Sequence, residues 1–285
     1  MAIVRLGASL SMDKTEPEAI ARSFVEAGYA AAICPPVTLH QPERIKEIQE
    51  SFARNDVVLA ELGVWNNMLH PDPAQRATNI DANVEALALA EELGVRCCVN
   101  IAGSFDPDCW DGPHPKNLSD EAFELTVKNV RHIIDVVKPK KAFYSLETMP
   151  WVILDSIDSY LSLLDAVDRS MFAVHLDPVN MINSPARYYE NARILRECFA
   201  KLGPWIVSCH AKDIQMSRQL TVHLDEVRPG LGALDYGVFL KDLNRLSGDV
   251  PLMLEHLPQE EFTLARDYIV GIAEQIGVSI HSPSI

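Results

Sequence analysis

Eight times along this chain a short apolar run is followed by a longer amphipathic segment, and few architectures accommodate that rhythm. The runs at 4–10, 30–34, 57–65, 96–102, 141–147, 171–177, 206–213 and 251–255 have the length and the β-branched, small or aromatic content of buried strands. Between them helices are expected over 19–27, 42–53, 73–93, 119–138, 155–169, 185–202, 235–246 and 258–276. The punctuation agrees: Asp72-Pro73 opens a long helix that Gly94 closes, Ser119 precedes two acidic residues, and Gly28, Pro139 and Pro204 fall just past helix ends. Strand-helix alternation of this kind builds parallel sheet. Eight units close it into one (β/α)8 barrel, an α/β fold, spanning 1–285 with no Gly/Ser/Pro-rich linker to divide it. Two connections exceed ordinary turns: 103–118, holding Trp110 and His114, reads as a cover over one end of the barrel, and 215–234 holds Arg228, Gly230 and Gly232.

Composition removes several classes of function. A net charge of −15 repels a phosphodiester backbone, so nucleic acid is not an expected partner. No apolar run approaches the roughly 20 residues that cross a bilayer, so no membrane is expected either. The first residues, Met1 to Gly7, lack the basic segment and cleavage site of an export signal. Six scattered cysteines form no CxxC pair, and most lie in apolar runs as reduced thiols. A soluble cytoplasmic protein is the expectation.

The last four apolar runs share an ending. They finish in Glu147, Asp177, His210 and Glu255. A barrel carries its site at the carboxyl ends of its strands, so these residues become neighbours on one arc of the rim. Singly, each has an ordinary explanation as a helix cap, a surface residue or a satisfied core histidine. Four successive strand ends in this pattern are hard to explain as caps, and three hard carboxylates with one imidazole suit a divalent cation. Residues two apart share a strand face, which sets Ser145, His175, Ser208 and Met253 one layer deeper. From there His175 is expected to hydrogen-bond a ligand carboxylate.

The Glu147 strand end, the segments His175-Leu-Asp177-Pro-Val-Asn180 and His210-Ala-Lys-Asp213, the glycine loop at 229–235 and Glu255 carry a resemblance over nearly the whole chain. They are similar to the xylose-isomerase-like barrel superfamily of sugar isomerases and epimerases, which includes ketose 3-epimerases, hydroxypyruvate isomerases and inosose dehydratases. The resemblance implies that Glu147, Asp177, His210 and Glu255 hold one divalent ion, Mn2+, Mg2+ or Co2+, with Zn2+ also admitted. It implies that Glu147 and Glu255 double as proton-transfer bases, that the substrate is a small carbohydrate, and that the chain forms a homodimer or homotetramer. The chemistry fits these residue types. Isomerising a hydroxyketone takes a proton from the carbon beside a carbonyl, the enediolate so formed needs positive charge on its oxygens, and carboxylates on two faces can remove and return the proton.

Substrate contacts are expected from Asn66, Asn100, His175, Asn180, Arg228 and Trp151, with Trp65 beside them. For Asn66, Asn100, Trp65 and Trp151, core or loop packing competes with binding or stacking on a sugar. Arg228 receives its role from the resemblance. Asn180 stands where ketose 3-epimerases carry a histidine, and Thr148-Met-Pro-Trp151 replaces a polar segment of theirs. Gly230 and Gly232 follow the seventh strand, where barrels often bind phosphate, yet two glycines without a full phosphate-loop pattern mark a tight turn equally well. Three other readings compete. An inosose-type dehydratase would use the same site. A hydrolase of the apurinic-endonuclease type requires histidines where Asn100 and Asn180 stand, and a non-catalytic sugar-binding barrel would show a broken ligand set.

Overall fold

A computed structural model of the protein describes residues 3–10 and 14–283; Met1 and Ala2, part of the segment read above for an export signal, lie outside them. The strands are β1 (Ile3–Ala8), β2 (Ala31–Ile33), β3 (Val58–Gly63), β4 (Cys97–Asn100), β5 (Phe143–Glu147), β6 (Phe172–Leu176), β7 (Ile206–Ala211), β8 (Asp213–Met216), β9 (Leu224–Val227), β10 (Asp249–Leu254) and β11 (Ile280–His281). Strands β1 to β7 and β10 are parallel neighbours in chain order, and β10 pairs back onto β1, so the sheet closes into an eight-stranded barrel. Strand β2 pairs only Gly7 and Ala8 of β1, and β11 takes Val4 and Arg5 below them.

The helices form the outer ring: α1 (Pro17–Glu26), α2 (Pro42–Arg54), α3 (Pro73–Leu93), α4 (Asp120–Val137), α5 (Ile157–Val167), α6 (Pro185–Tyr189), α7 (Asn191–Leu202), α8 (Tyr236–Leu243) and α9 (Phe262–Ile276). Their starts follow the sequence signals. The Asp72 side chain accepts the Ala74 N–H at 2.9 Å, and that of Ser119 accepts the Ala122 N–H at 3.2 Å. Helix α3 ends on Gly94, whose φ of 73° is the left-handed conformation that favours glycine. Helices of this ring turn apolar stripes to the sheet, the short α6 excepted: Ile20, Phe24 and Val25 from α1 and Tyr160 and Leu163 from α5 join one continuous core. A buried side chain of this size contributes roughly 1.5–3 kcal/mol. Tyr160 also donates its hydroxyl to the carbonyls of Leu146 (2.6 Å) and Ala173 (3.1 Å), which pins α5 across β5 and β6.

Two expected elements need correction. The helix anticipated over 185–202 breaks at Glu190 into α6 and α7. Asn191, at the break, donates to the carbonyls of Tyr188 (2.8 Å) and Ala233 (3.0 Å) and accepts from the Asp235 N–H, so its amide holds the junction. The long connection at 215–234 is partly ordered as the antiparallel hairpin β8–β9, which stands off the barrel rim. Two register slips also matter for the site. Pairing skips Ala60 between β2 and β3, and Val207 between β6 and β7. A skipped residue locally changes which side chains face inward. Ala60 packs with Ala31 and Met253, and Val207 with Cys97 and Ala173, in small apolar clusters inside the barrel, and the next residues, Glu61 and Ser208, meet each other there.

Candidate metal and acid-base site

Strands β5, β6, β7 and β10 deliver Glu147, Asp177, His210 and Glu255 to one point, where a ligand atom from each lies within 4.8 Å of all the others. His210 Nδ1 is the hub, at 2.8 Å from Glu255 Oε1, 3.2 Å from Glu147 Oε1 and 3.8 Å from Asp177 Oδ2. The other Asp177 oxygen is spent on the backbone N–H groups of Val179 and Asn180, which fixes the carboxylate so that Oδ2 faces the cluster. Asn180 in turn donates to Glu147 Oε1 at 3.0 Å and to the Thr148 carbonyl at 3.0 Å.

Lys212 shares the inward face of Ser208 and His210 and is almost fully buried. Its Nζ lies 2.6 Å from Glu255 Oε1, 2.8 Å from Asp177 Oδ2, 3.6 Å from Glu147 Oε1 and 3.5 Å from Glu226 Oε2 on β9. Asp177 Oδ2 and Glu255 Oε1 take no well-formed hydrogen bond, only the approach of this ammonium and of His210 Nδ1. Two buried acceptors without hydrogen bonds, converging beside an imidazole nitrogen, form the donor set of a hard divalent cation. The residues therefore fit such an ion.

Below this layer lies a second cluster. Glu61 from β3 meets His175 Nε2 at 2.9 Å and His210 Nε2 at 3.4 Å, and accepts a short hydrogen bond from Ser208 Oγ. The His175 ring stands edge-on to that of His210, centroids 4.1 Å apart. Glu61 is completely buried, which alone would raise its pKa, but the charge and hydrogen bonds of His175 and His210 outweigh burial and hold it well below the usual range. An ionised carboxylate only accepts, so His210 must present Nε2–H downward, leaving Nδ1 to the upper cluster.

Charge decides the other protonation states. Burial pushes Glu147 up against the pull of His210 and Lys212. Glu255 and Asp177 are buried too, but His210 and Lys212 draw both down, Glu255 to about 2. For His210 burial favours the neutral ring, and Glu255, Glu147 and Glu61 reverse that and carry it well above its ordinary value.

The upper cluster opens into a cavity of about 490 Å³ walled by Trp65, Ile101, Trp110, Met149 and Trp151, with Glu226 and His256 at its mouth. The cover at 103–118 is pinned over it. Buried Asn117 accepts from the Phe105 N–H and donates to the Gly112 carbonyl, and the Trp151 indole N–H donates to the Asp111 carbonyl at 2.7 Å.

Of the expected substrate contacts, Trp151 and Asn180 line this cavity. His175 does not: it is sealed beneath and holds Glu61 instead of a ligand carboxylate, because the slip at Ala60 brings Glu61 between them. Asn100 is fully buried and points outward onto α3, since Cys97 faces inward and strand alternation puts Asn100 on the opposite face. Its amide bonds Asn66 and Asn83, and Asn83 Oδ1 also takes the Tyr144 hydroxyl. Asn66 belongs to that network and borders a neighbouring cavity. Arg228 turns away to its own loop, donating to the Pro229 carbonyl and approaching Glu261 at 3.5 Å. The glycine loop is a clasp: Gly230 and Gly232 N–H both donate to Asp213 Oδ2, at 2.9 and 3.0 Å, and Leu234 N–H to Oδ1, so these amides are already committed.

Glu61, Lys212, Glu226 and His256 escaped the sequence reading. A carboxylate inside an apolar strand run was the available signal for Glu61, since such a group must be paired.

The sequence profile of the family described as xylose isomerase-like TIM barrel matches residues 23–269. No curated protein gives a sequence match. Among solved structures, a xylose isomerase-like TIM barrel protein from Mycobacterium smegmatis in complex with magnesium superposes with a TM-score of 0.67 at 15% identity, covering 95% of this chain and 96% of that one. A D-psicose 3-epimerase solved in the presence of D-fructose gives 0.67 at 14%, covering 96% and 99%. The probable 3-DHS dehydratase AsbF from Bacillus anthracis gives 0.68 at 14%, covering 95% and 99%.

Proposed function

The chain belongs to the xylose isomerase-like TIM barrel family, and from that membership we propose that it is a divalent-metal-dependent isomerase or epimerase of a ketose or related hydroxycarbonyl compound. The observation that carries this reading is the convergence of Glu147, Asp177, His210 and Glu255 at the floor of a cavity large enough for a sugar. These four would hold one Mg2+, Mn2+ or Co2+ ion, which when bound supplies positive charge to the substrate's vicinal oxygens.

The protein's own groups do the rest. Glu147 and Glu255 come from separated strands, β5 and β10, and reach the cavity floor from different sides, so one can take the proton from the carbon beside the carbonyl and the other can return it. Asn180 holds Glu147 in place through its 3.0 Å hydrogen bond. Lys212 supplies fixed positive charge beside the reacting oxygens and keeps Glu255 ionised. Trp65, Trp110 and Trp151 wall the site with apolar surface on which a sugar ring can pack.

One observation favours a dehydratase as second reading. His256 lines the cavity, its Nε2 lies 3.8 Å from Glu255 Oε2, and its hydrogen bond to Glu226 raises its pKa. A protonated imidazole there could protonate a departing hydroxyl. Incubation with Mn2+ and a panel of ketoses and inososes in deuterated water separates the two. Deuterium entering the carbon beside the carbonyl with an isomer as product supports the isomerase; an unsaturated product absorbing in the ultraviolet supports the dehydratase. Exchange with no substrate, or exchange untouched by a chelator, rejects both.

A further inference from the structure

The catalytic cavity does not end at its tryptophans. Trp65 and Trp110 are also walls of a second cavity of about 490 Å³, bounded on its other sides by α3 and the cover loop through His70, Gln75, Asn79, Asp106 and Asp108. Both indoles, 40% and 41% exposed, stand between the mainly apolar first cavity and this more polar second one. Trp65 is held there against backbone preference: its φ is 43°, a region bulky residues avoid and which persists only where surrounding structure enforces it. Gly63 makes room for it, since a Cβ on that residue would lie 2.1 Å from the indole nitrogen.

The chemistry of the second chamber is selective. Its asparagines are mostly committed: Asn66 to Asn79, Asn83 and Asn100, Asn67 to Ser104 and Leu69, Asn79 to Asn67 and Gln75. Among the described residues no protein group engages Gln75 Oε1, Asp106 Oδ2 or the Asp108 carboxylate, and these face the chamber as acceptors. Aromatic faces beside hydrogen-bond acceptors suit a neutral ring rich in O–H donors. The carboxylates repel an anion.

We propose that this chamber is a second sugar subsite, and that the substrate is an uncharged disaccharide or glycoside whose reacting unit keeps a carbonyl: that unit lies over Glu147 and Glu255, and the ring attached to it crosses the Trp65–Trp110 sill. The proposal deepens the isomerase reading and rests on it for the placing of the reacting ring. It is tested by tryptophan fluorescence titration of the Mg2+-loaded protein with glucose, fructose, glucose 6-phosphate and a panel of disaccharides of differing linkage. At least one disaccharide binds about ten-fold tighter than any monosaccharide or the sugar phosphate. In a Q75A/D108A double variant that ratio collapses toward one. A ratio near one in the wild type, tightest binding by the phosphate, or a ratio that survives the double variant overturns the subsite. The two readings fail separately: disaccharide preference without hydrogen exchange on any sugar retains the subsite and removes the isomerase, and turnover of monosaccharides without the preference does the reverse.

Discussion

Two carboxylate clusters share His210, and they behave as opposites. The lower one, Glu61 with His175 and Ser208, has both carboxylate oxygens engaged and lies shut inside the barrel. The upper one leaves Asp177 Oδ2 and Glu255 Oε1 without hydrogen bonds at the floor of a cavity. The lower carboxylate spends both its oxygens and leaves only His175 Nδ1 without a partner, whereas the upper cluster leaves two carboxylate oxygens open toward the cavity. His210 is the joint, held from below and offered above.

The contrast can be broken at several points. Glu147→Gln, in the upper layer, should lower kcat about 10²- to 10⁴-fold while leaving the melting temperature unchanged or higher, because a buried carboxylate is neutralised. Glu61→Ala should do the reverse, costing about 3–5 kcal/mol in urea unfolding, since it strands two imidazoles and a hydroxyl. A stable Glu61→Ala protein would erase the distinction. Glu61→Gln, which keeps the shape, should weaken Mn2+ binding in calorimetry about 10- to 100-fold by releasing the His210 ring.

Acidity sharpens the comparison further. In the metal-free protein the pKa of His210 is raised, so its contribution to stability is full below its unfolded value, about 6.5, and is lost as pH rises through the folded value. That of Glu61 is depressed, so its contribution is present above about pH 4.3 and is lost only as pH falls through its lower folded value. Cation binding must expel a proton from His210 Nδ1, so affinity should fall with pH, and calorimetry in buffers of different ionisation enthalpy should count the proton released. The smallest effect belongs to Arg228→Ala. With its guanidinium turned to Pro229 and Glu261, KM should change less than about two-fold, within the range of an ordinary surface substitution.

The barrel was legible because its signals are local and repeated: a cap at Asp72, a stop at Gly94 and an apolar run between them recur with little dependence on distant contacts. The upper cluster was legible for the same reason, since Glu147, Asp177, His210 and Glu255 are marked by position at strand ends. Counting in twos back from the strand ends rightly set His175 and Ser208 one layer below the rim. What it could not reveal is the pairing slip at Ala60, which brings Glu61 of β3 in to meet them. The same count carried one step past His210 reaches Lys212, but the usual preference of lysine for solvent kept it out of the reading. Asn100 was misread because a polar residue at a strand end serves the helix behind it as readily as the site in front.

The Asp213 clasp reaches beyond the glycine loop it ties. The excursion that begins at this carboxylate returns to it at Gly230, Gly232 and Leu234, so the hairpin hangs from the barrel like a handle riveted at its base and steadied at Glu226 by Lys212 and His256. Its closure entropy is met locally, and insertions or deletions between Met216 and Leu224 need not reach His210. The hairpin beside the cavity mouth is therefore an exchangeable cassette, whose outer turn can change in length while the floor stays as it is.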